Sequence, residues 1–376
     1  MLYQTHLKIH LDHIRFNLAG IRNAVGPQRK ILIAVKANGY GHGAVEVARL
    51  AETCGVDWLG VATVPEGLQL RSAGIQLPIL KFSPAFPEEL QAALRNDLTL
   101  AVCSFENADQ IQEACRRWRG SAPVHLKLDT GMGRVGVSPA DAPRLAAYIE
   151  KHCPALRLEG IFTHFPVSDE ADSTYTCAQI ERFKATVAAI QTAIGRPLEL
   201  VHASNSGAVL GHPSAWLDMV RPGIMIYGFY PDPGTPRTIE LKPGLSFLTR
   251  VSFLKKVTAG TSIGYGRTWF APAETWIATL PVGYADGFNR LFSNTGRVLI
   301  NGKSYPIVGR VCMDQSMVNL GPETDVRLGD EAVLIGKSGD LEITADEWAE
   351  KLGTITYEIT CQINSRVERV YQGGQP

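Results

Sequence analysis

The chain has 376 residues, 45% of them hydrophobic and 20% charged, which is typical of a folded protein with room for two domains. Lysine plus arginine and aspartate plus glutamate both number 37, so no net charge favours nucleic acid or an anionic membrane as a partner. The seven cysteines form no C-x-x-C pair, which favours reduced thiols over a disulfide framework or a zinc site. No signal-peptide pattern or membrane-length apolar run is found, and we expect a cytoplasmic protein without a metal.

From residue 31 onward, short apolar runs alternate with amphipathic segments of helical period. The runs predict strands at 31–36, 57–63, 77–82, 98–103, 123–129, 156–163, 198–203 and 219–227. Helices are predicted between them at 44–54, 65–73, 87–96, 107–117, 141–152 and 178–194. This alternation predicts an α/β fold with a parallel sheet, and eight strands favour a closed, TIM-like (β/α) barrel. A count of seven strands would leave an open, doubly wound sheet as the alternative.

The pattern changes after residues 229–237, a segment rich in proline and glycine that predicts a linker. Strands are predicted at 244–257, 276–282, 297–300, 304–311, 315–320 and 331–335, without helices between them. Asn301-Gly302 predicts a type I′ hairpin, and Thr344 is a candidate N-cap for a helix at 345–352. We therefore divide the chain into a barrel domain, 1–237, and a mostly-β domain, 238–376. The extreme N-terminal strand is a candidate to pack with the β domain.

Polar residues follow the predicted barrel strands at their carboxyl ends, where the ligand site of such a barrel lies. Lys36 ends the first strand, and the glycines that follow would let backbone amides approach an anion. A partly desolvated lysine there is a candidate nucleophile or base, and a surface lysine that caps the strand is the alternative. The other strand ends carry Lys127, Asp129, Arg134, His164, Asn205, Ser206 and Arg221.

Each of these residues is compatible with a structural role when it is considered alone. Lys127 could pair with Asp129, and His164 could be a hydrogen-bonded core histidine. Their convergence on one rim predicts a site for a ligand that carries both phosphate and carboxylate groups.

Residues 34–43, AVKANGYGHG, resemble the cofactor-lysine motif of the alanine racemases, which use pyridoxal 5′-phosphate (PLP). The resemblance extends along both predicted domains. It includes 127–136 (KLDTGMGRVG), 163–165 (THF), 205–206 (NS), 221–224 (RPGI), 264–267 (GYGR), 283–287 (GYADG), 308–314 (VGRVCMD) and 357–359 (YEI).

This resemblance implies a role for each residue of the predicted site. It implies that Lys36 binds PLP covalently, that His164 lies against the cofactor ring and that Arg221 faces the pyridine nitrogen. The phosphate would be held by Tyr40, Ser206, Gly223, Ile224 and Tyr357, with Asn205 close by. Arg134 and Met313 would bind the substrate carboxylate. In several family members the lysine that matches Lys127 is carbamylated and orients the arginine that matches Arg134, so Lys127 is a candidate for this modification.

The resemblance also implies a two-base interconversion of L- and D-alanine that supplies D-alanine for peptidoglycan. Lys36 would remove or return the Cα proton of D-alanine, and Tyr265 would do the same for L-alanine on the opposite face. Because phenols titrate near pH 10, a tyrosine base needs a nearby positive charge to lower its pKa. The resemblance implies that this charge acts through a chain from Tyr265 to His164 to Arg221. An arginine at the pyridine nitrogen would weaken the electron sink and favour prompt reprotonation. In the family the tyrosine comes from the partner subunit, so a head-to-tail homodimer with shared active sites is expected.

Two other PLP-binding functions remain as alternatives. A PLP-dependent decarboxylase of the same fold would need a carboxylate at the ring nitrogen, where this chain has Arg221. A non-catalytic PLP-binding protein would be a single barrel, which the β domain with Tyr265 and Tyr357 argues against.

Overall fold

The computed structural model describes residues 3–373, which divide into two compact units. Residues 13–242 form the barrel unit, and residues 3–12 together with 243–373 form the β unit. The first division falls within a helix, α1 (Leu11–Val25), which follows strand β1 (His6–His10). Within residues 3–373, no helix has the length and apolar character needed to cross a membrane.

The barrel unit is built on eight parallel strands. They are β2 (Lys30–Ala34), β3 (Trp58–Val61), β4 (Ile79–Lys81), β5 (Leu98–Val102), β6 (Ala122–Lys127), β7 (Leu156–Phe162), β8 (Leu200–His202) and β9 (Met219–Val220). Their order in the sheet is β9-β2-β3-β4-β5-β6-β7-β8. The two edge strands approach each other through backbone bonds from Asp218 N–H to Val201 O (3.1 Å) and from Arg221 N–H to Ser204 O (2.7 Å), which nearly close the barrel.

Helices connect these strands. After β2 come α2 (Lys36–Tyr40) and α3 (Ala44–Thr53), and then α4 (Val64–Ser72), α5 (Pro87–Arg95), α6 (Phe105–Trp118), α7 (Ala142–His152), α8 (Thr174–Ile194) and α9 (Ser206–Gly211). Several begin at capping residues: Thr63 accepts the N–H of Glu66 before α4, and Ser104 accepts that of Asn107 before α6. These caps place each helix start close to the end of the preceding strand.

The barrel interior is a packed apolar layer to which seven of the eight strands contribute. Its members are Leu32, Trp58, Leu80, Ala101, Phe162, Leu200 and Met219. The remaining strand, β6, carries the buried polar residues His125 and Lys127. Because alternate residues of a strand share a face, this strand brings two titratable groups into the layer.

The β unit contains two main sheets. Its strands are β10 (Leu245–Arg250), β11 (Phe253–Val257), β12 (Ser262–Ile263), β13 (Trp269–Phe270), β14 (Thr275–Leu280), β15 (Arg297–Ile300), β16 (Lys303–Pro306), β17 (Ser316–Gly321), β18 (Glu331–Ser338), β19 (Leu341–Ile343) and β20 (Glu368–Gln372). One sheet has the order β16-β15-β18-β10-β1-β20 with β19 beside β18, and another has the order β11-β14-β17. Two helices, α10 (Ala345–Leu352) and α11 (Thr356–Gln362), complete the unit.

The predicted fold class, an eight-stranded barrel with a mostly-β domain, is confirmed. The I′ hairpin is confirmed as well, since Ile300 pairs with Lys303 and both Asn301 and Gly302 have positive φ. Thr344 accepts the N–H of Glu347 at 3.0 Å, as expected of an N-cap.

The predicted strand 219–227 is wrong in its second half. Only Met219–Val220 is a strand, and Ile224–Tyr227 is a 3-10 helix. Pro222 has no N–H to donate to a neighbouring strand, and Gly223 has φ −113° and ψ −99°, outside the strand region. The chain therefore turns back over the barrel rim here.

Candidate active site

The chain makes a left-handed turn directly after β2. Ala37, Asn38, Gly39 and Tyr40 have φ between 51° and 61°. Residues other than glycine rarely adopt such values, and neighbouring contacts must hold them there. The strained turn starts immediately after Lys36, which is half-buried at the barrel mouth.

Glu66 holds the start of this turn. Its Oε1 accepts the N–H of Ala37 at 2.7 Å, and its Oε2 accepts the N–H groups of Ala62 (2.8 Å) and Thr63 (3.1 Å). One carboxylate thus fixes both the N-cap of α4, Thr63, and the residue that follows Lys36.

Two tyrosines pack below the turn. The Nζ of Lys36 lies 5.9 Å from the ring centroid of Tyr40, and that ring lies 5.0 Å from the ring of Tyr227. The Tyr227 hydroxyl donates to the carbonyl of Ala34 at 2.9 Å. The end of β2 and the turn after it are therefore tied to the segment that follows β9.

Hydroxyl and backbone N–H groups meet where this segment passes α9. Ser206 Oγ accepts the N–H of Gly223 at 2.9 Å and that of Met225 at 3.4 Å. A Cβ on Gly223 would lie 2.7 Å from the hydroxyl of Tyr40. Only glycine leaves this space open, so the tyrosine hydroxyl and the Gly223 backbone border one small polar cradle.

Asn205 supports the cradle through protein contacts. Its Oδ1 accepts the N–H of Ala208 (3.0 Å) and the hydroxyl of Ser168 (2.7 Å), and its Nδ2 donates to the carbonyl of Phe165 (3.0 Å). These bonds fix the start of α9 and with it Ser206.

Arg221 is buried beside the cradle. Its Nη2 donates to the carbonyls of Thr163 (2.7 Å) and Ala203 (2.9 Å), and its Nη1 bonds Nδ1 of His202 at 3.1 Å. Burial lowers the pKa of the guanidinium to about 9. The group retains its charge at neutral pH and is held in one orientation by three acceptors.

Lys127 and His164 are two further titratable groups on the same rim as Arg221. Burial, with Arg221 and Arg134 nearby, holds the pKa of Lys127 well below its usual value. Burial and the neighbouring cations Lys127 and Arg221 likewise lower the pKa of His164. The Lys127 Nζ lies 4.2 Å from the ring centroid of Phe162. Both groups are therefore favoured in their neutral forms, although a bound anion would reverse that preference.

Arg134 lies exposed on the loop after β6. Oδ1 of Asp129 holds this loop, because it accepts the N–H groups of Gly131, Met132 and Gly133 at 2.9–3.1 Å. This contact accounts for Asp129 without an ion pair to Lys127.

Tyr265, Met313 and Tyr357 belong to the β unit. Tyr265 is 71% exposed in a turn between β12 and β13, and Met313 is 53% exposed. Tyr357 lies partly exposed in α11. Gly264 and Gly266 flank Tyr265 with φ of 72° and 71°, and a Cβ on either would approach Met317 or Arg310 within 3 Å. The glycines let the turn project the phenol from the surface of the unit.

The sequence matches two family models over nearly its whole length. Residues 9–231 match the alanine racemase N-terminal domain, and residues 245–371 match the alanine racemase C-terminal domain. The chain belongs to the alanine racemase family. It is 48% identical to the alanine racemase of Cutibacterium acnes over 371 residues (98% of each chain), and 44% identical to that of Desulforamulus reducens over 369 residues (97% of this chain and 98% of the relative).

Solved alanine racemase structures share the fold. That of Clostridium difficile 630 has a TM-score of 0.94 and 39% identity, with 99% of this chain and 96% of the other covered. A Bacillus anthracis alanine racemase with bound L-Ala-P has a TM-score of 0.93 and 37% identity, with 100% and 97% covered.

Three residues around the alanine racemase motifs were not found from the sequence. Glu66 holds the turn after Lys36, Tyr227 packs under Tyr40, and His202 bonds Arg221. Arg221 hydrogen-bonds His202, and its charge also lowers the pKa of His164. The expected chain from Tyr265 through His164 to Arg221 stays a prediction. The sequence signal available for Glu66 was its position three residues after Thr63, a capping box.

We expect the Lys127→Met variant to be more stable than the unaltered protein at pH 7. The folded protein holds the pKa of Lys127 below that of the unfolded chain, so between the two values the unfolded chain binds more protons and stability rises with pH. Methionine removes this cost, with an expected gain of about 1–3 kcal/mol and a flatter pH profile below the ordinary lysine pKa of about 10. Urea unfolding in CO₂-free buffer measures both.

Lys81→Met is the matched control, because Lys81 is also buried but its Nζ donates to the carbonyls of Ser83 (3.1 Å) and Pro84 (2.7 Å). We expect that variant to be destabilised. Equal destabilisation of both variants would contradict the prediction.

Proposed function

We propose that this protein interconverts L- and D-alanine with PLP bound at the barrel mouth and Lys36 as its attachment point. The observation that carries the proposal is the placement of Lys36 beside a polar cradle that only glycine at position 223 leaves open. A lysine, a phosphate-sized set of hydroxyl and N–H donors and a fixed cation are the groups that PLP requires.

The cradle suits the phosphate. Tyr40 and Ser206 contribute hydroxyls, and Gly223 and Ile224 contribute backbone amides in the turn after β9. Such convergent donors bind anions well. Tyr357, from the β unit, is proposed as a further phosphate ligand, and Asn205 as the residue that positions Ser206.

Arg221 is proposed to face the pyridine nitrogen, with His164 against the ring. PLP bound to a lysine supplies an electron sink for removal of a Cα proton. Arg221 can only donate hydrogen bonds, so it disfavours protonation of the ring nitrogen and moderates that sink. This distinguishes the site from that of a decarboxylase of the same fold, which would present a carboxylate there.

Racemisation requires proton transfer on both faces of the Cα atom. We propose that Nζ of Lys36 removes or returns the proton of D-alanine and that Oη of Tyr265 does so for L-alanine. Arg134 and Met313 are proposed to bind the substrate carboxylate. Lys127 is proposed to orient Arg134 after carbamylation, a reaction that requires the neutral amine its surroundings favour.

The direct test is incubation of the purified, PLP-loaded protein with L-alanine in deuterated water. The proposal requires D-alanine with deuterium at Cα, quantified by chiral chromatography and mass spectrometry. L-Serine and L-lysine serve as controls for substrate range. Release of CO₂ without D-alanine would support the decarboxylase alternative, and no reaction would support the non-catalytic one.

We propose a head-to-tail homodimer in which each site combines Lys36 of one subunit with Tyr265 of the other. The strong exposure of Tyr265 and Met313 on the β unit supports this arrangement. Mixing the inactive Lys36→Ala and Tyr265→Phe proteins under subunit exchange should restore about a quarter of the sites, because each hybrid dimer contains one intact pair. Activity that stays absent although hybrid dimers are detected would place both residues in one subunit's site.

Glu66→Ala is expected to weaken PLP binding about ten- to hundredfold, since the Ala37 N–H would lose a charged acceptor. Glu89→Ala is the matched control: within residues 3–373, Glu89 accepts the Phe86 N–H (2.9 Å) at the start of α5 and makes no hydrogen bond to the turn after Lys36. Both variants should lose about 1 kcal/mol of stability from their helix caps. Equilibrium dialysis with PLP separates them, and equal PLP affinities would contradict a role for Glu66 in holding the turn.

We also propose that the enzyme acts in the cytoplasm and supplies D-alanine for peptidoglycan. The odd number of cysteines and the absence of paired spacings in the sequence favour a reducing compartment.

A further inference from the structure

His125 is a fully buried histidine with a defined place in the barrel. It lies on β6 among apolar neighbours, 5.3 Å from the ring of Trp58 and 5.0 Å from that of His202. Burial lowers its pKa, so the imidazole is neutral. A neutral imidazole has one N–H and one acceptor nitrogen, and its surroundings must decide which is which.

An extra residue in β7 brings Glu159 to this histidine. The register between the strands shifts by one position, from Val124 opposite Leu158 to His125 opposite Gly160. Such a bulge redirects a side chain. A Cβ on Gly160 would lie 2.9 Å from Cε1 of His125, so the glycine leaves room for the ring.

A chain of polar contacts then runs through the barrel to Arg221. Nη1 of Arg221 lies 3.1 Å from Nδ1 of His202, Nε2 of His202 lies 2.9 Å from Nδ1 of His125, and Nε2 of His125 lies 3.4 Å from Oε2 of Glu159. The last distance is long for a hydrogen bond, but among the described residues neither atom has another hydrogen-bond partner. Beyond it, Oε1 of Glu159 accepts from Arg157 at 3.0 Å.

The chemistry of the two ends fixes the direction of the chain. Arginine can only donate, so Nδ1 of His202 must accept and its Nε2 must carry the proton. Nδ1 of His125 must then accept, and its Nε2 must carry the proton that faces Glu159. The reverse arrangement would set an N–H of His202 against an N–H of Arg221. Glu159 suits its position as the terminal acceptor because it is favoured as the carboxylate. Burial raises its pKa, but the contacts with His125 and Arg157 outweigh burial and lower the pKa below its ordinary value.

We propose that His125 and Glu159 are positioning residues for Arg221, acting through His202. They hold both imidazoles in the Nε2–H form and so keep an acceptor facing the guanidinium. The inference rests on the proposed function only because that function gives Arg221 a role at the cofactor ring. The histidine tautomers in the chain of contacts can be measured without any assay of racemisation.

The first test is ¹⁵N NMR of the full-length, PLP-loaded protein labelled at histidine. Both His125 and His202 should show a protonated Nε2 and an unprotonated Nδ1. A protonated Nδ1 on either ring would overturn the proposal whether or not the protein racemises alanine.

The second test compares Glu159→Gln with Glu199→Gln. Arg157 and His125 face different oxygens of Glu159. Glutamine replaces one of these oxygens with an NH₂ group, which would face one of the two donors. Glu199 also pairs with Arg157, at 3.1 Å, but lies exposed at the outer end of the chain and does not contact His125.

We expect Glu159→Gln to change the ¹⁵N signals of both histidines and the absorption band of bound PLP, and to lower kcat about tenfold with KM little changed. Glu199→Gln should leave the ¹⁵N signals and the absorption band unchanged, and kcat and KM within twofold of those of the unaltered protein. Unchanged histidine signals in Glu159→Gln would overturn the proposal, as would equal effects in the two variants. If Glu159→Gln does not fold, the tautomers of the unaltered protein decide the question alone.

Discussion

Replacing Lys36 with alanine should lower alanine racemisation at least about 10⁴-fold, as expected when a nucleophile and base is removed. The same variant should fail to retain PLP covalently, because the amine that binds it is gone. The barrel should remain folded, since backbone bonds and Glu66 hold the turn after Lys36. Chiral assay of product and the absorption spectrum after dialysis measure the two effects.

Three lysines near the carboxyl ends of barrel strands make this prediction discriminating. Lys81 directs its Nζ to backbone carbonyls and Lys127 lies against the Phe162 ring, whereas Lys36 lies half-buried at the mouth beside Tyr40. Borohydride reduction of the loaded protein, followed by peptide mass spectrometry, should place the pyridoxyl group on Lys36. Labelling of Lys81 or Lys127, or retention of covalent PLP by Lys36→Ala, would contradict the assignment.

Replacing Tyr265 with phenylalanine should slow racemisation strongly in both directions but spare proton exchange on one face of the Cα atom. The two enantiomers have equal free energies, so the loss of one base must slow the overall reaction equally from either side. The expected loss is about 10²–10⁴-fold, the usual contribution of a general acid or base. In deuterated water, Lys36 should still exchange the Cα proton of D-alanine without inversion, while exchange into L-alanine should be lost.

The control for this variant is Tyr148→Phe, which removes a hydroxyl that donates to Asp109 (2.8 Å) on the helices outside the barrel. It should behave as the unaltered protein does. PLP content and melting temperature of Tyr265→Phe should also be unchanged, because the phenol is exposed and its turn is shaped by the flanking glycines. Exchange into both enantiomers or into neither would contradict the assignment of one base to each face.

The sequence predicted the barrel well because its signals are local. Eight apolar runs with helices between them marked the eight strands, and the C-terminal unit was recognised as mostly β from strands without intervening helices. Asn301-Gly302 and Thr344 were assigned from side-chain and backbone preferences that act within a few residues. The same local signals placed Lys36 and Arg221 beside the strand ends.

Prediction failed where distant contacts outweigh local preference. Helix α11 (Thr356–Gln362) was missed because it is short, and helices of that length depend on packing more than on intrinsic propensity. The left-handed backbone of Ala37 and Asn38 is unfavourable locally and persists because Glu66 and residues of α3 hold it.

The sequence by itself determined which groups stand at the barrel rim and, through its family motifs, which cofactor and reaction to expect. This was possible because the spacing of apolar residues that distinguishes strands from helices is a property of residues close together in the chain. Only the tertiary structure decided how those groups are held. Arg221 is hydrogen-bonded to His202, and the bulge at Glu159 supplies the buried carboxylate behind that histidine pair. These contacts join residues far apart in the chain, and their geometry is set by strand register, which no local pattern encodes.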